Sequence, residues 1–214
     1  MPKPGAARSQ KLRQSIAAEA ARIIATEGQR SYLTAKQKAA DRLGASIRNG
    51  LPSNAEVELE LKTWQELFGG SEREQRLEEL RREARSAMRF LKSFRPRLVG
   101  PVAEGTADQY SRVCLQVFSE DPDGVTRALM EHRIDFDQER RKVRWHDGSQ
   151  REVDVLVIDR GKAQIELMLM IGREARQPLP SPINGRPQRR LSLADLDELL
   201  SPESTLEIPP LRIY

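Results

Sequence analysis

A chain of 214 residues, 38% apolar and 32% charged, has room for one large domain or two small ones, and so much charge that a good part of it must be solvated helix surface. The formal net charge of +4 is uneven: residues 1–50 hold ten Lys/Arg against Glu19, Glu27 and Asp41, a local +7 that leaves −3 for the remainder, so the front of the chain suits polyanions. The single cysteine, Cys114, excludes an intrachain disulfide. No apolar run approaches the ~20 residues that span a bilayer, and the basic start is not followed by an apolar signal core. A cytoplasmic protein is expected.

In chain order, residues 1–8 carry Pro2, Pro4 and Gly5 and read as a disordered N-terminus. A helix follows from about Ser9 to Glu27, with Leu12, Ile16, Ala20, Ile23 and Ile24 on one stripe and Gly28 just past its end. A second is predicted from Thr34, as N-cap, to before Gly44. Ser53 and Glu56 form a capping box that opens a third, with Val57, Leu61, Trp64 and Phe68 on its apolar face and Gly69-Gly70 as its stop. Ser71 and Glu74 repeat the box before a fourth helix, whose seam is Leu77, Leu80, Ala84, Ala87, Leu91 and Phe94, and Pro96 ends it.

The second half changes character. Leu98 and Val99 start a strand, Gly100 and Gly105 bracket a turn, and Val113, Leu115 and Val117 alternate as a half-buried strand should. Asp121, Pro122 and Asp123 open a helix with Val125, Leu129 and Met130 as its apolar face, and a short strand is expected at Ile134–Phe136. Asp147-Gly148 signals a turn. Val153, Val155 and Val157, then Ile165, Leu167 and Leu169, alternate on either side of a turn at Asp159–Lys162 and predict a hairpin. Pro178, Pro180, Pro182 and Pro187 mark an extended loop, Ser192 or Leu193 opens a last helix with Leu196, Leu199 and Leu200, and the tail from Ser201 reads as extended. The fold class is therefore α+β: a helical region, 9–94, packed on a small mixed β-sheet within 95–200, with a tail over 201–214.

The stretch LVGPVAEGTADQYSRVCLQVF resembles the glycine turn and following strand of the nucleotidyltransferase fold of the DNA polymerase beta superfamily. That pattern is a glycine turn, G-[SG]-x-x-x-G-[TS], followed by a strand bearing D-x-D. More widely, FRPRLVGPV-x-x-GTA, DPDGV, IELMLM and RQPLPSPINGRPQRRL resemble a group of proteobacterial nucleotidyltransferase-like proteins, over roughly residues 20–200. The resemblance implies that Gly100, Gly105 and Thr106 approach a triphosphate, with two carboxylates on the strand to hold Mg²⁺ and a third on a neighbouring strand. Here the decisive positions differ. Pro101 stands where a serine is usual, and Arg112 and Cys114 stand where the paired carboxylates belong. A cation replaces a cation's ligand, and a soft thiol suits Mg²⁺ poorly.

The resemblance thus implies a catalytically degenerate domain, a pseudoenzyme with no metal cofactor, that binds a nucleotide or RNA or serves as a protein-interaction module. Arg112 would join the basic block of Arg173, Arg176, Arg186, Arg189 and Arg190 as phosphate contacts. One alternative is an active Mg²⁺-dependent transferase using displaced carboxylates, with Asp108, Asp154 and Glu166 as candidates. Another is a basic nucleic-acid-binding regulator, because AARIIATEG and LTAKQKAADRLG resemble the opening helices of helix-turn-helix repressors, although Gly50 and Pro52 interrupt the place of a recognition helix. His132 and His146 lack metal-ligand spacing to Cys114, which on an alternating strand reads as a small buried hydrophobe.

Overall fold

The computed structural model describes residues 4–46, 50–161, 163–172 and 177–201. Lys162, Arg173, Arg176 and the tail beyond Ser201 lie outside the described residues. The chain forms two units, one of residues up to 76 with the loops 106–111 and 180–186, the other of the remainder. It is an α+β protein with most of its helices in the N-terminal half and one five-stranded mixed sheet.

The first unit is built on α1 (Pro4–Glu27), α2 (Tyr32–Arg42) and α3 (Asn54–Phe68). Its core is small-residue packing: Ala17, Ala20, Ala21, Ala35, Ala39 and Ala40 interleave with Ile16, Ile23, Val57 and Leu61. α1 starts at Pro4, earlier than the prolines and glycine at the N-terminus suggest, because proline is tolerated in a first helical turn. α2 is capped by Ser31, not Thr34: the Thr34 amide donates to Ser31 Oγ at 3.3 Å. The capping box of α3 forms as expected, with the Ser53 amide donating to Glu56 Oε2 at 2.7 Å and the Glu56 amide to Ser53 Oγ at 3.2 Å. Gly28 has φ +67°, and a Cβ there would lie 2.8 Å from Tyr110 Cγ, so only glycine lets the tyrosine ring rest on this backbone.

α4 (Gly70–Phe90) does not use the second capping box. Gly69 itself adopts helical angles (φ −70°, ψ −31°) and its carbonyl accepts from the Arg73 amide at 3.3 Å, which places Ser71 inside the helix rather than at its cap. A 3₁₀ turn, Lys92–Phe94, closes this segment. In the second unit the strands are β1 (Arg97–Val99), β2 (Val113–Ser119), β3 (Asp137–Arg144), β4 (Gln150–Asp159) and β5 (Gln164–Ile171), in the order β1-β2-β5-β4-β3. Among the described strands only the β2–β5 pair is parallel. Between β1 and β2 stands a single helical turn, α5 (Pro101–Glu104). The last two helices are α6 (Gly124–Glu131) and α7 (Leu193–Leu199).

Two expectations fail here. Ile134–Phe136 is not a strand; the strand is the charged run Asp137–Arg144, which pairs with β4 as the sheet's edge. An edge strand exposed on both faces needs no apolar alternation, and its charges discourage pairing with other chains. In α6, Val125 and Leu129 are fully buried but Met130 is 66% exposed. The β4–β5 hairpin forms where the alternation predicted it. Cross-strand register fixes the two faces of the sheet. Leu98, Leu115, Leu156 and Leu167 belong to one, and Val99, Cys114, Gln116, Val155, Val157, Glu166 and Met168 to the other.

Candidate functional site

The second face carries a polar centre. The parallel register of β2 and β5 sets Cys114 directly beside Glu166. β5 is sandwiched between β2 and β4, so a carboxylate on it is withdrawn from water: the Glu166 side chain is 6% exposed. Arg112, just before β2, donates from Nη1 to Glu166 Oε1 at 2.8 Å, and Arg141 on β3 donates from Nη1 to Oε2 at 2.7 Å. The Cys114 thiol lies 3.6 Å from the same Oε2. Burial raises the pKa of Glu166, but the hydrogen bonds and charges of Arg141 and then Arg112 outweigh it and hold the carboxyl below its usual range. Arg141 is raised in turn, first by that bond.

Other groups extend the centre along the same face. Gln116 is fully buried on the same face as Cys114; its Nε2 donates to Gln188 Oε1 at 3.1 Å and its Oε1 has no hydrogen-bond partner among the described residues. Arg112 Nε is likewise buried without one. Arg97 stands opposite Gln116 in the β1–β2 register. The Arg190 guanidinium lies 5.3 Å from the centre of the Phe118 ring and donates to the Gln177 carbonyl at 2.7 Å, while burial and then Arg97 lower its pKa. Arg97, Arg112, Arg141 and Arg190 therefore gather around a sheet face whose acids are Glu166, Asp137 and Glu139 on β3, and Asp159 at the end of β4.

The remaining predicted residues fall elsewhere. Gly100 has φ 72° and ψ −158°, and a Cβ on it would sit 3.8 Å from Cys114, so this glycine does belong to the centre. Gly105 ends α5 in the left-handed region (φ 81°). Thr106 and Asp108 belong to the first unit. The Thr106 carbonyl accepts from Gln65 Nε2 at 2.8 Å, and Asp108 Oδ1 accepts from the Tyr110 amide and Ser111 Oγ, both at 2.9 Å. Arg186 also lies in the first unit, exposed, and Arg189 is exposed in the second. Asp154 is on β4 one residue out of phase with Val155 and Val157, hence on the opposite face from Glu166, with Arg140 Nε 3.4 Å away. Arg141 and Gln116 were not singled out by the sequence. Recognising DQERRKVR as a strand closed by the Asp147-Gly148 turn would have placed Arg141 opposite Val153, on the same face as Val155 and Val157.

The donor set fits a divalent cation badly. Both Glu166 oxygens already accept from guanidinium groups, and two positive charges stand where a metal would have to enter. Among the described residues no group of three or more His, Cys, Asp or Glu side chains is placed to hold a metal ion, and no helix is long and apolar enough to cross a membrane. Comparison of the chain with protein-family models, with curated proteins and with solved structures finds no match.

Proposed function

We propose that this protein is a nucleotidyltransferase-like domain in which guanidinium groups have replaced metal ions, and that it binds the phosphates of a nucleotide without transferring them. One observation carries the reading: Glu166, on the strand beside the D-x-D positions now held by Arg112 and Cys114, is tied by both oxygens to Arg112 and Arg141. In a transferase those positions hold carboxylates for Mg²⁺; here guanidinium groups stand beside them, and arginine suits phosphate oxygens by geometry as well as charge.

The displaced-carboxylate alternative is disfavoured because Asp154 and Glu166 lie on opposite faces of the sheet and Asp108 is engaged in its own turn. Titration of fluorescent nucleoside triphosphate and of single-stranded RNA, in chelator and in Mg²⁺, tests the proposal. Binding is expected without Mg²⁺, to weaken with salt by a log–log slope of about −0.7 per phosphate contact on the RNA, and to weaken in Arg112→Ala and Arg190→Ala. Absence of binding at low salt overturns it, as does Mg²⁺-dependent release of pyrophosphate.

A further inference from the structure

The second face of the sheet is uneven in charge. Along the row of Gln116, neighbouring strands place Arg97 on β1, Gln116 on β2, Met168 on β5, Val155 on β4 and Glu139 on β3. Four strand spacings of about 4.8 Å set Glu139 roughly 19 Å from the β1 end. Asp137 and Asp159 belong to β3 and β4, across β5 from that end. Glu166, on β5, has both oxygens taken by Arg112 and Arg141. The acids of the face are thus distant from Arg97 or already engaged.

Arg97 donates from Nη1 to the Pro96 carbonyl at 3.1 Å, and among the described residues no carboxylate pairs with it. Arg190 is held by the Gln177 carbonyl and the Phe118 ring, close enough to Arg97 for that charge, after burial, to lower its pKa. Asp195 is the acid that senses Arg97 and the exposed Arg189, but Ser192 sets it first: the Ser192 amide and hydroxyl both donate to its Oδ2 at 2.7 Å. Arg97, Arg189 and Arg190 therefore stand against one carboxylate that caps a helix. The segment carrying Arg190 is fixed to the same strands. Leu191 exchanges both backbone hydrogen bonds with Leu98 at 2.9 Å, and Gln188 accepts from Gln116. The Oε1 of the fully buried Gln116 has no donor among the described residues.

We propose that Arg97 and Arg190 seat a terminal phosphate of the nucleotide, a monoester dianion, in preference to the bridging phosphodiester of a chain interior. This rests on the nucleotide reading and narrows it. Arg112 and Arg141 are matched by Glu166, whereas Arg97 and Arg190 repel each other, and two negative charges between them offset that repulsion better than one. Each guanidinium fork takes two oxygens, and only a terminal phosphate offers three unbridged oxygens to two forks. The Gln116 oxygen requires a donor as well, and a nucleoside 5′-monophosphate carries ribose hydroxyls beside its phosphate.

Calorimetric titration of the whole chain, in chelator at low salt, compares adenosine 5′-monophosphate with its phosphate methyl ester, which keeps the shape but carries one negative charge. The monophosphate is expected to bind more tightly at pH 7 and to lose about tenfold in affinity by pH 5, as its second ionisation near pH 6 is reversed, while the methyl ester stays level. The groups facing the seat do not titrate in that window: the arginines stay charged, and Asp195 and Glu166 are held below their ordinary range, Asp195 first by Ser192 and Glu166 by Arg141 and Arg112 against burial. Arg97→Ala should abolish the preference and the pH dependence, and Arg97→Lys, which keeps the charge without the fork, should retain the pH dependence at lower affinity. The 2′,3′-dideoxy monophosphate should bind about fivefold more weakly, the effect of one hydrogen bond. Equal binding of monophosphate and methyl ester, or a level pH profile, overturns the proposal. An Arg97→Ala protein that keeps both properties overturns the assignment of the seat, and equal binding of the dideoxy probe overturns the Gln116 contact. If single-stranded RNA binds but the two phosphate probes are not distinguished, this inference alone fails; if neither RNA nor monophosphate binds at low salt, the nucleotide reading fails and takes this inference with it.

Discussion

Glu166 is the residue whose environment is most sharply set. Its folded-state pKa is held below the usual carboxylate range by Arg141 and Arg112, against burial. A carboxyl with a lowered folded pKa stabilises the protein above its unfolded pKa of about 4.3, and that contribution disappears as pH falls through the folded value. Glu166→Gln keeps the shape and removes the charge. It should destabilise the protein by about 1–3 kcal/mol at pH 7, less than for a fully buried pair because both arginines are partly exposed, and the gap to wild type should narrow as pH falls below about 4. Urea unfolding at pH 7 and pH 3 measures both; an equal gap at the two values would contradict the ion-pair assignment. Glu56, pulled down to about 2 by Arg13 and then by Ser53, also contributes to acid sensitivity, but it is common to both proteins and cancels in the comparison.

At the scale of elements, the junction from β1 to α5 depends on Gly100. Its φ of 72° with ψ of −158° is open to glycine and closed to other residues. A Cβ would meet Cys114 only at 3.8 Å, an ordinary contact, so the cost of substitution lies in the backbone and not in a clash. Gly100→Ala should cost about 1–3 kcal/mol in thermal or urea unfolding, whereas Gly148→Ala, where φ is 84° and nothing stands within 4 Å, tests the backbone term alone on an exposed turn. A Gly100→Ala loss no larger than a few tenths of a kcal/mol would remove this glycine from the centre's architecture. Helices α3 and α7, the body of α1 from Ser9 onward and the β4–β5 hairpin were legible because apolar period, and in α3 and α7 a cap, are local signals. β3 was not, because an edge strand of charged residues carries no period, and Ser71 misled because a backbone start overrode a good cap sequence.

For the whole molecule, the same division holds for the site. Arg112, Cys114 and Glu166 were legible one by one, since a resemblance assigns positions, but their meeting depends on a parallel register that no local pattern encodes. Arg141 arrives from a third strand and was invisible for the same reason. Charge distribution bears on the repressor-like reading as well. The next helix after that interruption, α3, carries Glu56, Glu58, Glu60 and Glu66 against Lys62, and so would be repelled by a phosphate backbone despite the basic residues before it. Fluorescence anisotropy with duplex DNA of varied sequence should show no sequence preference and loss of any binding between low and moderate salt; a preferred site that survives moderate salt would restore that reading.

The parallel pairing of β2 with β5 has a consequence in time as well as in space. Each β2 residue meets a partner 52 positions later, as Cys114 meets Glu166, whereas β3, β4 and β5 pair through short turns. During synthesis Val113, Leu115 and Val117 must leave the ribosome and wait, apolar and unpaired on that side, until the last strand has emerged. The hairpins can form in about 1–10 μs once made, but the central ladder must close a long loop first, which slows folding and extends the interval of aggregation risk. The strand that holds the centre together is thus among the first of the sheet to be made and among the last to be covered.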